Sequence, residues 1–184
     1  MSNWNVSNVT SFHGMFGFSS KLQTVKTDNW KPVSATSFVS MFHDCVNLKG
    51  FNAKDWKMPN LLTSSHMFRG CNSATSIDVS GWYTPSLTSM DAMFHTCKSL
   101  TEVDLSSFDT SNCTELSQIF DYATGIKRVK GLEKWDTSSC KTFEQTFAGC
   151  YALEELNLSS FNTRNVVNDF YPMQNGSTGW GYKE

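Results

Sequence analysis

Two columns of large aromatic residues recur along this chain with a period of 26 residues. The first column holds Trp4, Trp30, Trp56, Trp82, Phe108, Trp135 and Phe161. The second column holds Phe16, Phe42, Phe68, Phe94, Phe120 and Phe147. One step in each column is 27 residues long, and all the others are 26. A fixed period of roughly 20 to 50 residues is typical of stacked repeats, because so small a unit buries its apolar face only against its neighbours. The sequence therefore predicts a solenoid, whose long repetitive surface favours binding over catalysis.

Residues 100–120 show how one repeat is expected to fold. Apolar and polar residues alternate from Val103 to Ser106, which indicates a short strand with one buried face. The strand belongs to an L-x-x-L-x-L spacing that recurs as Leu22/Val25/Thr27, Leu48/Phe51/Ala53, Ala74/Ile77/Val79, Leu100/Val103/Leu105 and Leu153/Leu156/Leu158. Because stacked units place equivalent strands side by side, we expect a parallel sheet with a strand spacing of about 4.8 Å. The first-column aromatic is expected to fill the corner after the strand.

A second segment of each repeat follows that corner. Its apolar residues recur at spacings of three and four, as in Leu87, Met90, Met93, Phe94 and Cys97. This pattern predicts a short helix or 3-10 segment of about two to three turns. The sequence therefore predicts an α/β solenoid with a parallel β-sheet on one face and short helices or 3-10 turns on the other. The 27-residue step coincides with Gly131, which we interpret as a bulge at the end of a strand.

A polar position lies four residues after each first-column aromatic. It holds Asn8, Ser34, Asn60, Ser86, Asn112, Ser139 and Asn165. Asn and Ser are favoured helix N-caps, because their side chains accept hydrogen bonds from the first free backbone N–H groups. A polar ladder that links neighbouring repeats is the alternative, and the two interpretations are compatible.

The length allows one or two domains, and the unbroken repeat favours one. The chain has 184 residues, is 39% hydrophobic and carries a net charge of −2. We expect one solenoid over residues 1–173, with about six and a half coils and an incomplete N-terminal coil, followed by a tail over residues 174–184. Further coils or a partner chain are expected at the N-terminal end. The composition shows no basic signature of nucleic-acid binding. No long apolar run or signal peptide is predicted, so we expect no membrane insertion.

Three motifs together resemble the BspA-like leucine-rich-repeat family of surface proteins. They are L-x-x-L-x-L at residues 100–105, S-x-F-D-T-S-N at residues 106–112 and M-F-x-x-C-x-x-L at residues 93–100. The resemblance covers residues 1 to about 173. It implies a right-handed leucine-rich-repeat solenoid, display at the cell surface or outside the cell, and a role in adhesion. The chain departs from usual leucine-rich repeats because Trp or Phe stands where they carry Asn after the strand.

The cysteines and histidines are the first candidates for chemistry. The cysteines are Cys45, Cys71, Cys97, Cys113, Cys140 and Cys150, and each replaces an aliphatic residue or falls in a core column. We interpret them as buried free thiols, with disulfides between neighbouring coils as the alternative. His43, Arg69 and His95 share one column and are expected to be solvated, with the histidines about 10 Å apart, too far to share a metal. We therefore expect no metal, no cofactor and no catalytic residues.

The outward-facing strand positions are the best candidates for ligand binding, because they vary from repeat to repeat while the core columns do not. They include Lys26, Asn52, Asp78, Glu102, Asp104, Arg128, Lys130, Glu155 and Asn157. Pairing of opposite charges on neighbouring strands is the alternative role for this row. Tyr83, Tyr122 and Tyr151 are candidate aromatic contacts, because tyrosine offers apolar area with a polar tip.

These observations predict a non-catalytic binding or adhesion module that recognises a protein or a glycan. The alternative is a structural interaction subunit, such as a fibre or decoration protein of a virion or another assembly. In that case we expect the chain in a virion rather than at a cell surface.

Overall fold

The computed structural model of this chain describes residues 4–167, so the predicted tail at residues 174–184 lies outside the described part. Four short strands lie 26 residues apart: β1 (Gly50–Asn52), β2 (Ser76–Asp78), β3 (Glu102–Asp104) and β4 (Arg128–Lys130). β1 pairs with β2 and β3 pairs with β4, both in parallel and in register. The central residue of each strand is buried and its neighbours face outward, as the alternation predicts.

The predicted strands at residues 22–27 and 153–158 are not formed. Both segments keep their apolar side chains partly buried against the core, including Leu22, Val25, Leu153 and Leu156. They lie in the outermost layers of the described residues. Each has a strand-bearing neighbour on one side within this part of the chain, which leaves fewer partners to hold it extended.

A second hydrogen-bonded ladder runs along the opposite segment of each repeat. Parallel bridges join residues one repeat apart: Ser11↔Ser37, Ser37↔Thr63, Thr63↔Ser89, Ser89↔Glu115 and Glu115↔Thr142. Beyond each bridge, alternate backbone N–H groups donate to the next repeat. The N–H of Phe12 donates to the carbonyl of Ser37 at 2.9 Å, and the N–H of Phe16 donates to the carbonyl of Met41 at 2.9 Å. This ladder joins all of these repeats, and the strands add a second set of bonds where β1 meets β2 and β3 meets β4. β2 and β3 do not pair, so the predicted sheet is divided into two two-stranded sheets.

The second segment of each repeat is a chain of turns, so of the two predicted alternatives the short helix is wrong. Hydrogen bonds of the 3-10 type recur there between residues three apart, as from the N–H of Met41 to the carbonyl of Phe38 at 3.1 Å. Two positions per repeat, on either side of the second-column Phe, have positive φ. They are Gly14, Ser40, His66, Ala92, Gln118 and Gln145 before it, and Phe18, Asp44, Gly70, Thr96, Tyr122 and Gly149 after it. A left-handed residue at every fourth position interrupts a right-handed helix. It also turns alternate N–H groups outward, where they reach the next repeat.

The 27-residue step is accommodated outside the sheet, so the prediction of a strand bulge is also wrong. β3 and β4 stay in register through Asp104 and Lys130. The additional residue enters a 3-10 turn, η1 (Leu132–Lys134), directly after β4. Gly131 begins this turn with a φ of 94°, a backbone conformation that residues with a Cβ rarely adopt.

The predicted polar column links the repeats, and within residues 4–167 it caps no helix. Ser86 Oγ donates to the carbonyl of Pro59 at 2.8 Å, and Asn112 Nδ2 donates to the carbonyl of Pro85 at 3.0 Å. Asn165 Nδ2 donates in the same way to Ser138. The ladder interpretation thus describes these side chains, which are exposed or half-buried.

Two aromatic columns run through the core, beside buried aliphatic, methionine and cysteine side chains. Trp30, Trp56 and Trp82 stack with ring centroids 6.2 and 6.1 Å apart. In the second column, Phe68 and Phe94 lie 5.8 Å apart, and the next pair, Phe94 and Phe120, 5.4 Å apart. Offset stacking at such distances contributes about 0.5–1.5 kcal/mol per pair beyond the burial of apolar area. Each layer is therefore fixed by ring contacts as well as by hydrogen bonds.

Candidate binding surface

The predicted ligand-binding row lies along the strands. Six of its members belong to β1–β4: Asn52, Asp78, Glu102, Asp104, Arg128 and Lys130. The other three, Lys26, Glu155 and Asn157, are exposed and lie outside the assigned strands. Asp78 and Asp104 are half-buried, and the remaining members are exposed. The surface is thus an open row of polar side chains rather than a pocket.

Four members of the row have a structural role that the sequence pattern did not reveal. Asn52, Asp78, Asp104 and Asn157 each accept a hydrogen bond through Oδ1 from the backbone N–H two residues later, at 2.9–3.1 Å. Such turns end β1, β2 and β3 and direct the chain into the corner, and Asn157 closes the same turn outside the assigned strands. Burial acts to raise the pKa of Asp104, but hydrogen bonds from Ser106 and the nearby Lys130 outweigh it, so this pKa is lowered.

Ion pairs occupy the row at β3 and β4. Glu102 lies 3.6 Å from Arg128 and also contacts Lys130, while Lys127 lies 3.6 Å from Glu154. The alternative of cross-strand charge pairing therefore describes this part of the row. Exposed pairs of this kind contribute about 0–1 kcal/mol each, so they orient the side chains more than they stabilise the fold.

The three candidate tyrosines do not form one patch. Tyr83, Tyr122 and Tyr151 are all exposed, and each occupies a different column of the repeat. Within residues 4–167 no ring contact joins any two of them. They offer three separate contact points.

A half-buried polar cluster lies on the turn segments, and the sequence did not predict it. Three imidazole–carboxylate contacts of 3.5–3.6 Å come from successive repeats: His43 with Asp44, His66 with Asp91, and His95 with Asp121. The His43–Arg69–His95 column is half-buried rather than solvated as expected, and the ring of His43 stacks on that of His66 at 6.2 Å. His66 was missed because it stands in a different column. The buried atoms His66 Nδ1, His95 Nδ1 and Asp121 Oδ1 have no hydrogen-bond partner within the described chain.

We expect this cluster to make the fold sensitive to acid. Burial, with a further contribution from Arg69, lowers the pKa of His95 from 6.5 to about 4. The unfolded chain then takes up a proton below pH 6.5 that the folded protein accepts only near pH 4, so stability is lost as the pH falls through this window. We expect a loss of about 1–2 kcal/mol from this group, after allowance for its partial exposure.

Thermal melts at pH 7.5 and pH 5 for the wild type and His95→Gln measure this effect. The wild type should lose more stability than the variant between the two values. Burial raises the pKa of Asp121, and this shift increases stability as the pH falls, opposite to the effect of His95. The effect of His95 is therefore measured as the difference between the stability losses of the two proteins. Equal losses in both would contradict the assignment.

All six cysteines are buried and free. Four of them direct Sγ at the carbonyl of the second-column Phe one repeat earlier, as Cys97 does to Phe68 at 3.1 Å and Cys45 to Phe16 at 3.0 Å. Burial raises the pKa of Cys97, Cys113 and Cys150 to about 12 and that of Cys140 to about 11. These thiols are therefore core side chains held in the protonated form.

We expect the six thiols to react with a colourless disulfide reagent only as fast as the protein unfolds, because thiolate is the reactive species. Labelling rates measured in native buffer and in denaturant should differ by orders of magnitude at pH 8. A thiol that reacts at the rate of a free cysteine in native buffer would contradict this prediction.

Residues 4–167 offer no group of three or more His, Cys, Asp or Glu side chains arranged to hold a metal ion. The same part of the chain contains no helix with the length and hydropathy to cross a membrane.

Stacked layers, two ladders and a polar strand row define a 26-residue repeat protein. The family described as "Mycoplasma protein of unknown function, DUF285" matches residues 1–77, 36–131 and 62–179, and the chain belongs to this family. No curated protein and no solved structure matches the chain.

Proposed function

We propose that this chain is a non-catalytic binding or adhesion module of a surface protein, and that its layers form a leucine-rich-repeat solenoid of the BspA-like kind. The observation that carries the proposal is the contrast between the two sides of each strand. The buried residues Phe51, Ile77, Val103 and Val129 keep one chemical class, whereas the outward residues change charge from layer to layer. A fixed frame with a variable exposed row suits recognition by shape and polar matching.

The ligand that suits this row is a protein or a glycan. The strand residues present carboxylates, amides and ammonium groups without a deep cavity, so contact is spread over several layers. The strand-ending turns hold Asp78 and Asp104 in one orientation, which reduces the side-chain entropy lost on binding. Display at a cell surface and operation without a cofactor belong to the same proposal.

Binding of the immobilised chain to a panel of matrix proteins and cell-surface glycans tests the proposal. The variant Asp78→Asn/Asp104→Asn removes two charges from the row but keeps the Oδ1 acceptors that end the strands. Glu115→Gln/Glu144→Gln is the matched control, because these two exposed carboxylates lie on the turn side.

A ligand from the panel should bind the wild type and the control alike, and should bind the strand variant about tenfold more weakly, a difference of about 1.4 kcal/mol. Equal binding by all three proteins would place the ligand elsewhere and contradict a strand-face site. A folded chain that binds nothing on the panel would contradict the adhesion role and favour a structural subunit.

A further inference from the structure

The charges of this chain are unevenly divided along its repeats. Residues 1–75 carry seven Lys and Arg against three Asp, and they contain no Glu. Residues 76–184 carry eight Lys and Arg against fourteen Asp and Glu. The net charge of −2 conceals this division, in which the early repeats are basic and the later ones acidic.

Five exposed lysines of the basic half lie on the strand and corner side of two adjacent layers. We call Lys26, Lys31, Lys49, Lys54 and Lys57 the lysine surface. Lys49 directly precedes β1, and Lys54 follows it by two residues. Because Trp30 and Trp56 stack at 6.2 Å, the residues after them, Lys31 and Lys57, leave the backbone at neighbouring points.

The lysine surface lacks the neutralising partners found at β3 and β4. Within residues 4–167, ion pairs engage Lys127, Arg128 and Lys130, whereas no carboxylate oxygen lies within 4 Å of any of the five lysines. Lys57 Nζ donates to the carbonyl of Gly81 at 3.0 Å. The exposed acids Asp28 and Asp55 are close in sequence but form no such pair. Like charges at equivalent positions of adjacent layers, as at Lys31 and Lys57, repel, and this arrangement costs stability unless an anion offsets it.

Three of these lysines also replace residues that close turns in other repeats. Asp109 and Asp136 directly follow a first-column aromatic, and each accepts a hydrogen bond from the backbone N–H two residues later. Lys31 and Lys57 occupy the same position in their own repeats. Lys26 likewise takes the strand-ending position of Asn52 and Asp78. A lysine has no acceptor, so each substitution gives up a turn-closing bond and adds a solvent-directed charge.

We propose that the lysine surface binds an anionic polysaccharide, and this inference rests on the binding role proposed above. Two layers about 4.8 Å apart place the ammonium groups within reach of successive sulfate, phosphate or carboxylate groups on one flexible chain. A flexible glycan follows the basic layers and avoids the acidic ones. A stiff DNA duplex, with a persistence length of about 50 nm, extends past the surface toward the acidic repeats.

The test measures binding of a fluorescent heparin octasaccharide and of a short DNA duplex at about 150 mM salt. Lys31→Glu/Lys57→Glu reverses two charges of the lysine surface, and Lys98→Glu/Lys141→Glu makes the same change at exposed lysines among the acidic repeats. Matching thermal melts of the three proteins establish that both variants are folded.

We expect the octasaccharide to bind the wild type, to lose at least about tenfold in affinity with the lysine-surface variant, and to lose less than about twofold with the control. Equal losses in both variants, DNA binding as tight as glycan binding, or no glycan binding would overturn the inference. If another ligand from the panel still binds Lys31→Glu/Lys57→Glu while heparin does not bind the wild type, the lysine surface fails and the binding role stands.

Discussion

Phe94→Ala should lower the free energy of unfolding by about 3–5 kcal/mol, which is the cost of deleting a buried aromatic ring. Phe94 is fully buried, and it stacks on Phe68 at 5.8 Å and on Phe120 at 5.4 Å. The variant therefore loses two ring contacts and leaves a cavity between three layers. Chemical denaturation, with the transition followed by circular dichroism, measures the loss.

Tyr83→Ala is the control for this experiment, because Tyr83 is 51% exposed and forms no ring contact within the described residues. It should change the free energy of unfolding by less than about 0.5 kcal/mol, as surface substitutions usually do. Similar losses for Phe94→Ala and Tyr83→Ala would contradict the central position of the second aromatic column.

Gly131→Ala should destabilise the protein by at least about 3 kcal/mol, for two reasons. Its φ of 94° is unfavourable for a residue with a Cβ, and the added Cβ would collide with the backbone N and Cα of Ser106 in the neighbouring layer. Backbone atoms of a packed layer can move only if the hydrogen bonds that join this layer to its neighbour are weakened. The destabilisation therefore combines conformational strain of about 1–2 kcal/mol with displacement of β3 from β4.

Gly14→Ala separates the two contributions. Gly14 also has a positive φ, of 60°, but a Cβ there would meet no atom within 4 Å. We expect this variant to lose only the conformational part, about 1–2 kcal/mol. Thermal melts of both variants under the same conditions give the comparison. A Gly131→Ala protein as stable as Gly14→Ala would show that the layers can separate locally at little cost.

The sequence allowed the sheet and the core columns to be predicted, because periodic burial is recorded directly in residue type. Phe51, Ile77, Val103 and Val129 alternate with polar neighbours, and strands form around them. The turn segments could not be predicted in the same way. Apolar spacings of three and four fit a helix and a chain of turns equally well. Positive φ is carried there mostly by residues such as Ser40, Ala92 and Gln118, so glycine rarely marks it.

The candidate surface was predicted in position but not in detail. The outward strand row follows from alternation alone, whereas the turn-closing bonds of Asp78 and Asp104 depend on backbone geometry after the strand. The sequence marks these bonds by a serine two residues after each aspartate, which is Ser80 after Asp78 and Ser106 after Asp104. The lysine surface was missed for a different reason, because a net charge averages over the chain. A count of charges for each repeat separates the basic layers from the acidic ones.

The two ladders have a consequence for how a chain of this kind can change in length. Every layer meets the next through bonds between residues about one period apart, as between Phe16 and Met41 or between Leu105 and Lys130. Duplication or loss of 26 consecutive residues would therefore join faces that already fit, and would alter the stack by one step of about 4.8 Å. Recombination between repeats can adjust the reach of the molecule in whole steps, while its exposed row is free to diverge one layer at a time.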